Sequence, residues 1–232
     1  MLKTIMKIIS LLLLSLLSLV GMAQAQDYYQ TLSLSDGTAL TYALLLPSDF
    51  DEAKTYPTLL ALPPGPQTRD MVEAGLGYWR SGPERGWVVI SPVAPGQLFF
   101  QGAESTIPKL LDEVAKTVMF EGEKVHVAGV SNGGRSSFRI ALDYPERIHS
   151  ITVLPGFPPS EKDYGRLERI AHLPVVMYAG EHDTSWVEAM LRTEKVLSDL
   201  GTTVSATVVP NEGHVIQSLS GNTLFELLET FR

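Results

Sequence analysis

Residues 129–134 read Gly-Val-Ser-Asn-Gly-Gly and lie between the apolar run Val125–Ala128 and a helical segment, Asn132–Tyr144, that Pro145 stops. A short β-branched run passing directly into a helical pattern predicts a strand, a sharp bend and a helix. A serine at such a bend adopts a strained backbone conformation that lifts its hydroxyl clear of the sheet, while the flanking chain passes close to neighbouring backbone. Side chains at 129 and 133 would collide there, which accounts for glycine at both positions. Ser131 is therefore presented beside the N-terminal amides of a helix, where developing negative charge is favoured.

The rest of the chain supplies the layers such a bend needs. Tyr28–Ser35 and Thr38–Leu46 read as a hairpin, with Asp36-Gly37 providing positive φ angles for a tight turn. Thr58–Leu62, Trp87–Ser91, Lys124–Gly129, Ile148–Leu154, Val175–Tyr178 and Thr203–Val209 read as further strands. Between them, Ile107–Met119 and Trp186–Leu200 have helical periodicity, and Thr223–Phe231 reads as a terminal helix. This alternation predicts a largely parallel sheet covered by helices.

The first residues stand apart. Lys3 and Lys7 precede the apolar run Ile8–Val20, and Ala23-Gln24-Ala25 has the small-x-small pattern of a signal-peptidase site. Residues 1–25 are expected to be a cleaved export signal rather than an uncleaved anchor, because the run is too short for a comfortable membrane span. Residues 26–232 then form one catalytic domain, periplasmic or secreted, with no stable membrane span of its own. Without Lys3 and Lys7, 16 basic residues face 26 acidic ones, a balance of −10 that disfavours nucleic acid as a partner. The absence of cysteine excludes disulfides, thiolate metal sites and cysteine nucleophiles.

A serine hydroxyl needs a base. Of five histidines, His126, His149 and His172 fall within or beside strands and read as packed or surface residues. His214, in Asn211-Glu212-Gly213-His214, follows the last strand and would hang at the carboxyl edge of the sheet, where open α/β folds bind ligands. An acid must orient the imidazole. Asp183, in the loop after Val175–Tyr178, fits best, and Glu181 in the same loop is its nearest rival.

With these residues the chain resembles the α/β-hydrolase superfamily, and within it the small lidless carboxylesterase, dienelactone-hydrolase and feruloyl-esterase or polyester-depolymerase-like group. Asp143-Tyr144-Pro145-Glu146-Arg147-Ile148 and Gly180-Glu181-His182-Asp183 carry the likeness beyond the serine bend. The resemblance implies a mostly parallel central sheet of about eight strands with helices on both faces and no large lid. It also implies a serine hydrolase that needs neither cofactor nor metal, in which Ser131, Asp183 and His214 cleave a small-molecule or polymeric carboxylic ester through an acyl-enzyme. A serine peptidase or acyltransferase on the same residues is the alternative, and a catalytically inactive binding protein a second one.

In that family a loop after an early strand gives a backbone N–H to the oxyanion hole, but the matching stretch here is Pro64-Gly65-Pro66-Gln67, and proline has no N–H. The expected donors are therefore the Asn132 amide and, after a shift of the loop, the Gln67 amide. Tyr78, Trp79, Phe99, Phe157 and Trp186, on loops at the carboxyl ends of strands, are expected to line the substrate cleft. Only about twenty residues separate Leu154 from Val175, so the cleft should be open.

Overall fold

The computed structural model describes residues 28–232; the expected export signal, residues 1–25, and the mature start at Gln26 lie outside the described residues. Chain order runs β1 (Tyr29–Ser33), β2 (Ala39–Leu45), β3 (Thr55–Tyr56), β4 (Thr58–Leu62), α1 (Arg69–Trp79), β5 (Val88–Pro92), α2 (Ile107–Val114) and β6 (Met119–Phe120). It continues through β7 (Val125–Gly129), α3 (Asn132–Asp143), β8 (Ile148–Val153), α4 (Glu161–Tyr164), β9 (Val175–Gly180), α5 (Thr184–Asp199), β10 (Val204–Val209) and α6 (Asn222–Leu228).

Eight strands form one sheet in the order β1-β2-β5-β4-β7-β8-β9-β10, and β3 and β6 pair separately. Only β2 runs against its neighbours in the large sheet; from β5 to β10 every pairing is parallel. Parallel strands are covered on both faces, which is why β4, β5 and β7 are buried at every residue. On one face Leu110 and Leu111 of α2, Phe138 and Leu142 of α3, and Met190 and Leu197 of α5 pack into the larger core. On the other, Leu76 and Trp79 of α1 and Leu224, Phe225 and Leu228 of α6 close over Trp87. Each fully buried leucine or phenylalanine contributes roughly 1.5–3 kcal/mol, and packing of this kind carries a fold without disulfides.

The order of the strands fixes where a ligand fits. From β4 the chain goes to β5 on one side, and from β7 to β8 on the other, so the loops leaving β4 and β7 diverge and open a crevice at the carboxyl edge.

Two local expectations differ from the structure, and one helix was not expected. At the hairpin, Gly37 has φ +85° but Asp36 does not enter the positive-φ region; Asp36 Oδ1 instead accepts the Thr38 N–H at 2.9 Å, within a loop closed from Leu34 N to Thr38 O. The helix expected over Ile107–Met119 stops at Val114, because Met119 and Phe120 pair with Thr55 and Tyr56 as strands. Helix α1 was not legible, since Gly75 and Gly77 dilute its helical preference. Packing explains the first of them: a Cβ on Gly75 would lie 3.1 Å from the Trp79 indole nitrogen.

Candidate active site

Ser131 stands between β7 and α3 with φ +57° and ψ −117°, a conformation that a residue bearing a side chain rarely adopts. Three backbone bonds hold it there: Val130 N to Leu62 O, Ser131 N to Pro155 O, and Leu154 N to Gly129 O. The glycines serve close approach. A Cβ on Gly133 would lie 2.1 Å from Leu62 O, and one on Gly129 would lie 2.2 Å from the Gly133 backbone.

His214 reaches the serine from the loop after β10. Its Nε2 lies 2.8 Å from Ser131 Oγ, and its Nδ1 lies 2.6 Å from Asp183 Oδ2. In the tautomer with Nδ1 protonated, the Asp183 carboxylate accepts the Nδ1–H hydrogen bond and the Nε2 lone pair faces the serine hydroxyl. The Asp183 side chain is 14% exposed and that of His214 is 41%, so the acid is shielded while the imidazole stays open to the cleft.

The loops that carry acid and base are tied to each other. Glu181 N donates to Val209 O and His182 N to Glu212 O, and the approach is so close that a Cβ on Gly180 would meet Gly213 O at 2.1 Å. Glu181, the rival acid, turns to the Asn211 N–H at 2.9 Å and pins the histidine loop. The Glu212 carboxylate accepts the Ser218 and Gln217 amides, which lower its pKa, Ser218 foremost. Tyr78 donates its hydroxyl to Ile216 O at 3.3 Å, and burial raises its pKa.

The loop after β4 departs from expectation. The Gln67 amide donates to Pro64 O at 3.1 Å, closing a β-turn with Gly65 at φ +56°. The residue is fully buried. Its side chain donates to Pro63 O and Ser136 Oγ and accepts the Phe99 N–H, so Gln67 braces the loop and offers no N–H to the cleft. With Pro63, Pro64 and Pro66 lacking amides, Gly65 carries the remaining N–H of this turn. Neither it nor the Asn132 N–H has a protein acceptor among the described residues. The Asn132 side chain donates to Gly65 O at 2.9 Å and ties that turn to the serine bend.

The expected cleft walls divide. Tyr78, Trp79 and Phe99 are buried: the first two close the end of α1 against the sheet, and Phe99 lies beneath the loop held by Gln67. They line no cleft. Phe157 and Trp186 do flank the site, with ring centroids 4.9 Å apart, and Trp186 presents an edge-on contact to His214 at 4.8 Å. A groove of about 360 Å³ opens beside them, lined by Phe157, Pro158, Pro159, Ser185 and Glu188. Sequence reasoning missed Arg135, one turn into α3, whose guanidinium carbon lies 4.4 Å from the Phe100 ring centroid and 5.5 Å from that of Phe157.

A mostly parallel eight-stranded sheet, helices on both faces and a serine at the bend after a central strand define the α/β-hydrolase fold. No lid is evident among the described residues: only the four-residue α4 and a 3₁₀ turn separate β8 from β9. Solved structures of the same fold include a thermostable esterase (TM-score 0.65, 17% identity, 88% of this chain and 59% of that one) and a ferulic acid esterase (TM-score 0.67, 15% identity, 88% and 96%). In sequence the chain is 26% identical over 190 residues to the S-formylglutathione hydrolase of Paracoccus denitrificans, covering 69% of this chain and 66% of that protein. It is 27% identical over 150 residues to dipeptidyl-peptidase 5 of Porphyromonas gingivalis, where it spans 59% of its own length and 22% of the relative's. No protein-family model matches the chain.

Proposed function

We propose that this chain is an exported serine hydrolase that cleaves carboxylic esters through an acyl-enzyme. The observation that carries the reading is the line Ser131–His214–Asp183, closed at 2.8 and 2.6 Å on a strained serine bend. Ser131 Oγ attacks the ester carbonyl as His214 Nε2 takes its proton, and Asp183 stabilises the imidazolium. The carbonyl oxygen gains charge between the Asn132 and Gly65 amides, with Gly65 taking the place first expected of Gln67. His214 returns the proton to the leaving alkoxide, and water then releases the acyl group by the same steps.

Of the two sequence relatives, one is named a hydrolase and the other a peptidase, while the esterase names of the solved structures tilt the reading toward esters. The short β8–β9 connection leaves the cleft open to bulky or polymeric esters as well as short ones. Export rests on residues 1–25 alone. Ser131→Ala should lower ester turnover by roughly four orders of magnitude or more with circular dichroism unchanged. Labelling of the wild type by a fluorophosphonate at Ser131, together with parallel assays on aryl esters and aminoacyl amides, tests the reaction class. Turnover retained in the alanine variant would overturn it, and preference for the amides would favour a peptidase.

A further inference from the structure

Six arginines of the described chain pair with carboxylates: Arg85, Arg139, Arg147, Arg166, Arg192 and Arg232. Arg69, Arg80, Arg135 and Arg169 do not; of these four the others are exposed, while Arg135 is half-buried. Its Nη2 donates to Pro159 O at 3.0 Å, its Nε is buried with no partner, and its Nη1 has no protein acceptor among the described residues. Of the acids on neighbouring segments, Asp163 and Glu104 are engaged with Arg139 and Glu161 with Arg192, while Glu188 lines the groove beside Phe157 and Pro159. Burial pulls the Arg135 pKa down, with Asp163 opposing from a distance, yet a guanidinium remains charged in proteins. A desolvated cation without a counter-ion is costly, and Phe100 and Phe157 compensate it only in part.

Its position gives that cost a purpose. The Arg135 N–H donates to Ser131 O at 3.1 Å, so the two residues share the first turn of α3. From the guanidinium, ring contacts lead through Phe157 and Trp186 to His214. The loops that enclose it follow β5 and β8, both at the carboxyl edge that holds the serine.

We propose that Arg135 is a specificity residue that binds a carboxylate carried by the ester substrate, away from the scissile bond, so that the preferred substrates are esters bearing a free acid group. This rests on the serine-hydrolase reading above and deepens it. With Nη2 donating one hydrogen to Pro159 O, Nη1 and the second Nη2 hydrogen supply the two N–H donors that a planar carboxylate takes together. The aromatic rings keep water from that contact and strengthen it.

The test compares the 4-nitrophenyl monoesters of glutaric and adipic acids with the neutral esters of pentanoic and hexanoic acids, and 4-carboxyphenyl acetate with phenyl acetate. The two sets place the charge on the acyl or on the alcohol side. The wild type should favour the charged member of at least one set by tenfold or more in kcat/KM. Arg135→Met should erase that ratio, chiefly through KM, and Arg135→Lys should keep part of it. Free glutarate, adipate or 4-hydroxybenzoate should compete with the charged ester in the wild type and lose tenfold in affinity in Arg135→Met.

A wild-type ratio at or below one in every set would overturn the proposal even if the methionine variant failed to fold. So would a ratio that Arg135→Met leaves unchanged. In either case neutral-ester turnover and fluorophosphonate labelling of Ser131 would leave the serine-hydrolase reading standing. Absence of labelling and of turnover on every ester would remove both.

Discussion

Ser131 pairs an unfavourable backbone with a hydroxyl aimed at an imidazole, and strain of this kind costs on the order of 1–3 kcal/mol that surrounding contacts must hold. The two acids of the following loop divide their labour by geometry: Asp183 meets His214 Nδ1, while Glu181 meets the Asn211 amide. Asp183→Asn should therefore lower kcat by about three to four orders of magnitude, because an amide facing Nδ1 no longer stabilises the imidazolium or holds its tautomer. Glu181→Gln keeps an acceptor for Asn211 and should cost less than about tenfold. Steady-state kinetics on a neutral aryl ester decides, and equal losses in the two variants would show that the acid has been misassigned. The sequence favoured Asp183 over Glu181 in Gly180-Glu181-His182-Asp183 but left both within reach of one bend, and the closure between the β9 and β10 loops sets Asp183 against His214.

The segment between β8 and β9 is short and fastened by charge. Asp163 on α4 is fully buried and accepts both Arg139 Nε and Nη2 from α3, at 3.0 and 2.8 Å, with Ser160 and Arg166 close by. Burial alone would raise its pKa, but the bonds from Arg139 and Ser160 outweigh it and hold the carboxylate below its usual range. Asp163→Ala leaves Arg139 with only the 3.4 Å contact to Glu104 and should cost about 3 kcal/mol, seen as a fall of roughly 10 °C in Tm. Replacing both partners by leucine should recover most of that loss in the same melt. Failure to recover would mean that the pair's geometry, beyond its charge balance, sets the course of this segment past the cleft. Gly75 and Gly77 hid α1, where Gly75 leaves room for the Trp79 indole one turn on, and in α2 the distant pairing of β3 with β6 overrode local preference.

Across the molecule, the sheet's opposite edge carries a pH dependence distinct from the cleft. His126, buried against Trp87 and bonded through Nδ1 to Ser150 Oγ at 2.8 Å, has its pKa pushed down to about 3, first by burial and then by the charge of His149. Its ordinary value is 6.5. Between these values the unfolded chain takes up a proton that the folded chain refuses, so stability is full above pH 6.5 and drains as pH falls toward 3, by up to about 1.4 kcal/mol per pH unit. His126→Gln should flatten that part of the profile relative to the wild type in urea titrations from pH 7 to 4, and an identical slope in both proteins would refute the assignment. By itself the sequence determined the succession of the large sheet's strands and of helices α3, α5 and α6, the serine at its glycine-flanked bend and the histidine after the last strand. Each of these is written in a local backbone requirement or in hydrophobic periodicity. Only the tertiary structure decided that Gln67 braces a loop, that Gly65 keeps the free amide, that Tyr78, Trp79 and Phe99 are buried while Phe157 and Trp186 face the site, and that Arg135 stands there uncompensated. Those outcomes depend on which surfaces meet when segments far apart in the chain are packed together, and no spacing within a single segment encodes that.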